Sequence, residues 1–229
     1  MKTIGIVGGT SWFSSVDYYR YINELTTEKL GGDEAAKVIL FSVNYGEIKT
    51  LTHEDNWDQI AKIITNGAVK LQNAGADVVI LGANTMHYIF DKVEESLNVP
   101  MIHIADATAI EIQKKKINKV ALLGTKYTMQ LPFFVERLKS SGIETIIPDG
   151  PDVEFINKSI YEELGKGIIL SETRKNYLEI IDKLKQKGAQ GIILGCTEIP
   201  LLIKQDHCDV PVFDTTFLHS REAVNFALS

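Results

Sequence analysis

The sequence is poor in the residues that mark several classes of protein. It has only two cysteines and six prolines in 229 residues, so neither a disulfide framework nor a cysteine-rich metal site is indicated. No apolar run reaches the length that crosses a membrane, and no low-complexity segment marks a linker. The N-terminus lacks the basic region and cleavage site of a signal peptide. We therefore expect a cytoplasmic protein.

Positive charge is also scarce. The chain has 24 Lys and Arg against 30 Asp and Glu, which gives a net charge of −6. This balance offers no electrostatic footprint for nucleic acid or for an anionic membrane. Because 45% of the residues are hydrophobic, the chain has ample material for a core. The composition predicts an ordinary soluble globular protein that binds neither nucleic acid nor membranes.

Short apolar runs alternate with helical patterns along the chain. The runs typical of buried strands lie at 4–7, 38–43, 78–81, 120–123, 145–147 and 191–194. Helical patterns lie between or after them, at 15–29, 57–74, 129–140, 171–187 and 219–227. This alternation predicts an α/β fold with parallel sheets covered on both faces.

An internal repeat relates residues 70–87 to residues 183–200. The identical pairs are Lys70/Lys183, Leu71/Leu184, Gly75/Gly188, Ala76/Ala189, Ile80/Ile193, Leu81/Leu194 and Gly82/Gly195. The alternative is that helix, turn and strand recur in any α/β protein, but here the exit after the strand coincides as well, which favours duplication. Two related units would bring their strand ends, 83–85 and 196–198, to a shared cleft. A residue at such a helix start favours anions, so we predict a lowered thiol pKa for Cys196.

The residues after these two strands resemble a known family. Cys196-Thr197-Glu198 resembles the Gly-Cys-Thr-Glu motif of the aspartate/glutamate racemases, and residues 84–87 resemble their Cys-Asn-Thr-x-His motif. Shorter matches follow in order along nearly the whole chain, at 8–12, 103–106, 124–125, 160–164 and 213–216. The resemblance implies two pseudo-symmetric Rossmann-like lobes, each a parallel sheet flanked by helices, with the active site in the cleft between them.

The resemblance also implies a lobe division and an activity. The first lobe would comprise residues 1–98 plus 210–229, and the second residues 99–209. The activity would be that of an isomerase, a racemase that acts on aspartate, glutamate or a similar small amino acid without pyridoxal phosphate or a metal. Members of the family are usually homodimers, so a homodimer is expected.

Site residues carry over from the matching motifs. Cys196 would be one acid/base that removes or returns the α-proton. Positions that would bind the substrate are Gly9 and Thr10 through backbone groups, together with Asn84, Thr85, Thr125 and Thr197. Lys166 stands one place from the usual family lysine, so it is a further candidate for substrate binding.

The chain departs from the family pattern at two further points. Ala83 occupies the position of the second cysteine, and alanine cannot transfer a proton. The segment 44–50 lacks the arginine of many members that act on acidic substrates, and Lys49 is its one cation. The site could racemise slowly with water, Thr85 or His87 as a relay. Alternatively, the protein is a one-base lyase like the arylmalonate decarboxylases, or a catalytically silent binder of small carboxylates, or Ala83 is an engineered substitution.

Other residues suggest no cofactor. The run 5–9 lacks the spacing of a dinucleotide-binding loop, and the histidines show no metal-ligand spacing with Asp or Glu. His87 is left open between a packing role and a role in the site. His103 is expected to be a hydrogen-bonded strand histidine.

Overall fold

A computed structural model describes all residues from 1 to 229. The chain divides into two compact units. The first comprises Met1–Ile104 and His219–Ser229, and the second comprises Ala105–Leu218. None of the helices combines the length and the apolar character that a membrane span requires.

The first unit holds a parallel sheet of three strands in the order β2-β1-β3. Its elements are β1 (Ile4–Gly8), α1 (Trp12–Leu30), β2 (Val38–Ser42), α2 (Tyr45–His53), α3 (Trp57–Asn73), β3 (Val78–Leu81), a 3-10 helix (Thr85–Ile89) and α4 (Phe90–Glu94). All residues of β1 and β3 are buried. Continuous apolar strands of this kind are typical of parallel sheets covered on both faces.

The second unit holds a parallel sheet of four strands in the order β5-β4-β6-β7. Its elements up to the fourth helix are α5 (Ile104–Lys114), β4 (Lys119–Gly124), α6 (Lys126–Gln130), α7 (Pro132–Ser140), β5 (Glu144–Ile146) and α8 (Gly150–Glu162). The remaining elements are a 3-10 helix (Leu164–Lys166), α9 (Ser171–Gln186), β6 (Ile192–Gly195), α10 (Ile199–Leu202), a 3-10 helix (Gln205–His207), β7 (Val212–Asp214) and α11 (Thr215–Ala227). The last helix begins in the second unit and ends in the first. The predicted α/β class with two helix-flanked parallel sheets is confirmed.

The repeat has the same local structure in both units. Gly75 and Gly188 both adopt positive φ, at 96° and 97°, a conformation that only glycine reaches at little cost. The alanine after each glycine donates its N–H to a leucine five residues earlier, Ala76 to Leu71 and Ala189 to Leu184, both at 3.0 Å. The central strand pairs also share a register, because Val7 faces Leu81 and Leu123 faces Leu194. In each unit, the strand of the repeat therefore ends at the same position relative to the strand with which it pairs.

Some elements differ from the sequence prediction. The helix predicted over 129–140 is two helices, because Pro132 forces Leu131 into an extended conformation, with φ −77° and ψ 146°. The helices α2, α5 and α8 are not predicted, and neither is β7. Pro211 interrupts the apolar run 210–213 at the start of β7, and a proline within such a run argues against a strand.

The division of the chain also differs from the expected boundaries after residues 98 and 209. Met101 forms an isolated parallel bridge with Val79 of β3, so the segment up to Ile104 belongs with the first sheet. Val212 and Phe213 of β7 pair with β6, which keeps this strand in the second sheet. The first unit thus has only a bridge where the second has a fourth strand.

Candidate functional site

The candidate residues of the first unit follow two neighbouring strands. Gly9 and Thr10 follow β1, and Ala83 and Asn84 follow β3, which is paired with β1. Gly82 continues this pairing, because its N–H donates a hydrogen bond of 2.8 Å to the carbonyl oxygen of Val7. The carboxyl ends of parallel strands are the usual ligand-binding edge of α/β sheets. The structure therefore brings these four residues together at one sheet edge.

Gly9 is required by the main chain around it. Its φ is +84°, and a Cβ at this position would overlap the main chain of Val43. The N–H of Gly9 donates to Ser15 Oγ at 2.9 Å, so this backbone donor is already engaged. The residue thus shapes the edge of the sheet, and its own N–H has an intramolecular partner.

Thr10 offers a different group from the one that the sequence indicated. The residue is 9% exposed, and its Oγ1 is buried without a hydrogen-bond partner in the chain. A buried hydroxyl in this state is costly unless something binds it. The Thr10 side chain, in addition to its backbone, is therefore a candidate ligand contact.

The segment after β3 is held by its own histidine. Asn84 is 5% exposed, while Ala83 and Thr85 are partly buried. The Nδ1 of His87 lies 3.0 Å from the Ala83 carbonyl oxygen and 3.2 Å from that of Asn84. Both acceptors are carbonyls, so Nδ1 carries the proton and donates to them. The relay role suggested for this ring is therefore not supported at Nδ1.

In the second unit, Cys196 follows β6 and sits beside a carboxylate. The cysteine is 9% exposed, and its Sγ–H donates to Glu198 Oε2 at 2.8 Å. The hydroxyl of Thr197 donates to the same oxygen, also at 2.8 Å. The carboxylate of Glu198 therefore holds both the thiol and the hydroxyl at the end of β6.

The predicted lowering of the Cys196 pKa is wrong. Burial raises the pKa of this thiol well above its ordinary value, and the negative charge of Glu198 raises it further. Backbone N–H groups of Glu198 and Thr197 act in the opposite direction, but they do not outweigh burial. The helix that was expected to stabilise the thiolate, α10, has only four residues. A single turn carries little of the dipole of a full helix.

Two further candidates of the second unit have different surroundings. Thr125 follows β4, the strand paired with β6, and is 6% exposed. Its Oγ1 caps α6 by accepting the N–H of Thr128 at 3.3 Å. Lys166 ends a 3-10 helix and is exposed, and Lys49 is exposed on α2. The strand register thus places Thr125 beside Cys196 at one sheet edge and gives no such placement to Lys166.

A cluster of three buried histidines was missed by the sequence reasoning. His87, His103 and His219 are 2%, 3% and 0% exposed. The ring centroid of His87 lies 4.7 Å from that of His103 and 5.3 Å from that of His219. No linear pattern connects these three positions. The structure contains no group of three or more His, Cys, Asp or Glu side chains arranged to hold a metal ion.

Comparison with known proteins gives the family of the chain. Residues 7–223 match the model of the Asp/Glu/hydantoin racemases. A broad specificity amino-acid racemase of Bacillus subtilis, RacX, is 27% identical over 75% of this chain and 74% of its own. Among solved structures, a candidate Asp/Glu racemase from Yersinia pestis is 46% identical with a TM-score of 0.95, and an aspartate racemase homologue from Pyrococcus horikoshii OT3 is 38% identical with a TM-score of 0.89. Each of these two alignments covers 100% of this chain and 100% of the chain in the solved structure. The protein therefore belongs to the Asp/Glu/hydantoin racemase family.

Proposed function

We propose that the protein is an amino-acid racemase that uses neither pyridoxal phosphate nor a metal, with Cys196 as its retained acid/base. The observation that carries the proposal is the bond of 2.8 Å between the Cys196 thiol and the Glu198 carboxylate. A thiol beside a proton acceptor is the pair that α-proton transfer requires. The description of the Bacillus subtilis relative as a broad specificity amino-acid racemase supports the same activity.

The raised pKa of Cys196 determines how the pair would act. At neutral pH the thiol is protonated and its proton is bonded to Glu198. To act as a base, the thiol transfers this proton to the carboxylate, which leaves a thiolate beside a neutral carboxyl group. The thiolate then removes the α-proton of the substrate and becomes a thiol again. Inversion then needs a proton on the opposite face of the α-carbanion, where we propose water as the donor, and the hydroxide left behind takes up the proton held by Glu198. For the other enantiomer the steps run in reverse, and the protonated thiol delivers its proton to the α-carbanion.

Substrate binding would use polar groups that follow the strands. We assign the α-carboxylate and the amino group to Asn84, Thr85, Thr125 and Thr197, with Lys166 as a further candidate. Thr10 contributes its hydroxyl as well as its backbone, because this buried Oγ1 has no partner within the chain. Gly9 contributes through its backbone conformation, since its N–H already donates a hydrogen bond to Ser15 Oγ. These groups recognise the part common to all α-amino acids.

The proposal leaves the substrate side chain open among small amino acids. Aspartate and glutamate are the substrates that the family name suggests, but residues 44–50 lack an arginine. A broad specificity would need no such cation. The homodimer implied by the family resemblance and the cytoplasmic location expected from the sequence belong to the same proposal.

A second candidate function follows from Ala83. Alanine supplies no acid on this side, and the Nδ1 proton of His87 is donated to two carbonyls. A one-base lyase, or a binder of small carboxylates that is catalytically silent, requires only the Cys196 side. Loss of one positioned acid/base typically lowers a rate by about 10² to 10⁴. Racemisation in this chain is therefore expected to be slow.

Proton exchange in D₂O separates these functions. The protein would be incubated with L- and D-aspartate, L- and D-glutamate, and a panel of basic and apolar amino acids, and the α-proton followed by NMR. We expect exchange with inversion, and its loss in a Cys196→Ala variant. Exchange without inversion would favour one-sided chemistry. Ligand binding without any exchange would contradict the racemase and favour the lyase or the silent binder.

A further inference from the structure

The histidine cluster (His87, His103 and His219) includes one residue, His87, of the segment that follows β3. Phe90 completes it, with its ring centroid 4.7 Å from that of His103 and 5.7 Å from that of His87. The rings of His87 and Phe90 are nearly parallel, at 12°, and His103 stands edge-on to both. Close packing of four buried rings leaves little room for any of them to turn. The packing of these rings therefore fixes the orientation of the His87 ring.

Hydrogen bonds fix the third histidine of the cluster. His219 Nε2 lies 2.8 Å from the carbonyl oxygen of Ile102, and its Nδ1 lies 2.8 Å from the hydroxyl of Tyr18. The carbonyl only accepts, so Nε2 carries the proton and Nδ1 accepts from Tyr18. Burial lowers the pKa of His219 to about 4. This ring is thus neutral at neutral pH and is held at both nitrogens.

His87 connects the histidine cluster to the candidate site. His87 donates its Nδ1 proton to the carbonyls of Ala83 and Asn84 at 3.0 and 3.2 Å. Its backbone N–H donates to the same Asn84 carbonyl at 3.0 Å. The carbonyls of two successive peptides, Ala83–Asn84 and Asn84–Thr85, are therefore hydrogen-bonded to one ring, and that ring packs within the cluster.

We infer that His87 is a positioning residue, which holds the main chain at Ala83 and Asn84 so that Asn84 and Thr85 meet the substrate. The inference rests on the proposed function, since it assigns the consequence of this contact to substrate binding. His87 touches no reacting atom in this scheme. Its loss should therefore raise KM for α-proton exchange about five- to tenfold, the ratio expected for one hydrogen bond. The turnover number should change less than twofold.

Two substitutions at one position separate the hydrogen bond from the ring. The side-chain nitrogen of asparagine is attached at the same distance from the backbone as Nδ1, so His87→Asn keeps the donor to the two carbonyls. The nitrogen of glutamine lies one bond further out, so His87→Gln removes the donor. Both variants lose the packing of the imidazole ring. Tyr18→Phe is the matched control, because it removes a hydrogen bond of the cluster and leaves the two carbonyls bound.

The measurements are amide hydrogen exchange over residues 83–89 and the kinetics of α-proton exchange with L-aspartate and L-glutamate. We expect His87→Gln to exchange faster over this segment and to have the raised KM, with His87→Asn close to the wild type in both. Tyr18→Phe should lower the melting temperature only. Equal behaviour of the Asn and Gln variants would overturn the inference. If the wild type exchanges no amino acid of the panel used in D₂O, the proposed function fails, and hydrogen exchange over 83–89 still decides the positioning role.

A measurement on the wild type needs no variant to fold. Nitrogen-15 NMR of the imidazoles should show a proton on Nδ1 of His87, and His219 neutral with its proton on Nε2. A proton on Nε2 alone, with none on Nδ1 of His87, would remove the donor to Ala83 and Asn84. That result would also overturn the inference.

Discussion

Cys196 illustrates how one neighbour changes the chemistry of a side chain. Its strand-end position indicated an activated thiolate, but the thiol is buried and faces the Glu198 carboxylate at 2.8 Å. Both burial and the adjacent negative charge oppose ionisation. The same carboxylate is the nearest acceptor for the thiol proton. Glu198 thus raises the pKa of the thiol, and in the proposed mechanism it also accepts the thiol proton.

Replacing the Glu198 carboxylate should raise the reactivity of the Cys196 thiol toward iodoacetamide and lower the rate of α-proton exchange. In Glu198→Gln the negative charge is gone, so we expect the pKa of Cys196 to fall. We also expect α-proton exchange to fall by about 10² to 10⁴, because the proton acceptor is lost. The measurements are iodoacetamide labelling against pH and exchange in D₂O, both in a Cys208→Ser background. In the wild type, half-maximal labelling should lie above the ordinary pKa of a cysteine, about 8.5. A plateau already reached at pH 7, or unchanged exchange in Glu198→Gln, would contradict the assignment.

The turn between helix and strand is the best-defined shared element of the two units. Gly75 follows α3 and Gly188 follows α9, with φ of 96° and 97°. A Cβ at Gly75 would meet no atom within 4 Å, and one at Gly188 would meet only the Lys119 side chain, at 3.6 Å or more. The cost of a side chain at either turn is therefore backbone strain alone.

Alanine at each of these turns should cost the same free energy of unfolding. We expect Gly75→Ala and Gly188→Ala each to destabilise their own unit by about 1 to 2 kcal/mol, the cost of positive φ for a residue with a Cβ. Gly150→Ala is the control, since this helical glycine has open space around its Cβ position and no positive φ. Urea denaturation followed by circular dichroism measures the differences. A cost at one turn only would show that the two copies of the repeat differ in local structure.

The correspondence between the units extends beyond one turn to their strand orders. The strand orders β2-β1-β3 and β5-β4-β6 correspond, and Ala83 and Cys196 follow corresponding strands. The units differ at their edges, where β7 is a full strand and its counterpart is the single bridge of Met101 to Val79. By this correspondence, Ala83 is the position at which we propose that a second acid/base is missing.

Restoring a thiol at this position is therefore a direct test of the two-sided mechanism. We expect Ala83→Cys to raise the rate of inversion by about 10² to 10⁴, the usual contribution of one positioned acid/base. Substrate binding should change little, because neither thiol is assigned to carboxylate recognition. Cys196→Ala should abolish exchange in either background. Inversion would be measured on the amino acid that exchanges fastest in the wild type. A folded Ala83→Cys protein that binds this amino acid without faster inversion would favour the one-base lyase.

The sequence by itself determined the fold class, the repeat and the strand ends that carry Cys196 and Ala83. These features depend on local periodicity and on residues adjacent in the chain, such as the Gly-Ala turn before β3 and β6, so a linear pattern suffices to find them. Some elements were beyond that reach. Pro211 interrupts the apolar run at β7, and the four residues of α10 carry no period of their own.

The tertiary structure decided what surrounds each candidate residue. The histidine cluster joins positions 87, 103 and 219, which are far apart in sequence and meet only when the first unit folds around its sheet. The pKa of Cys196 depended on burial and on the rotation of the Glu198 side chain toward it. Desolvation and the direction of a charged neighbour are properties of packed side chains. For that reason the motif identified the thiol, and only the folded chain gave its protonation state.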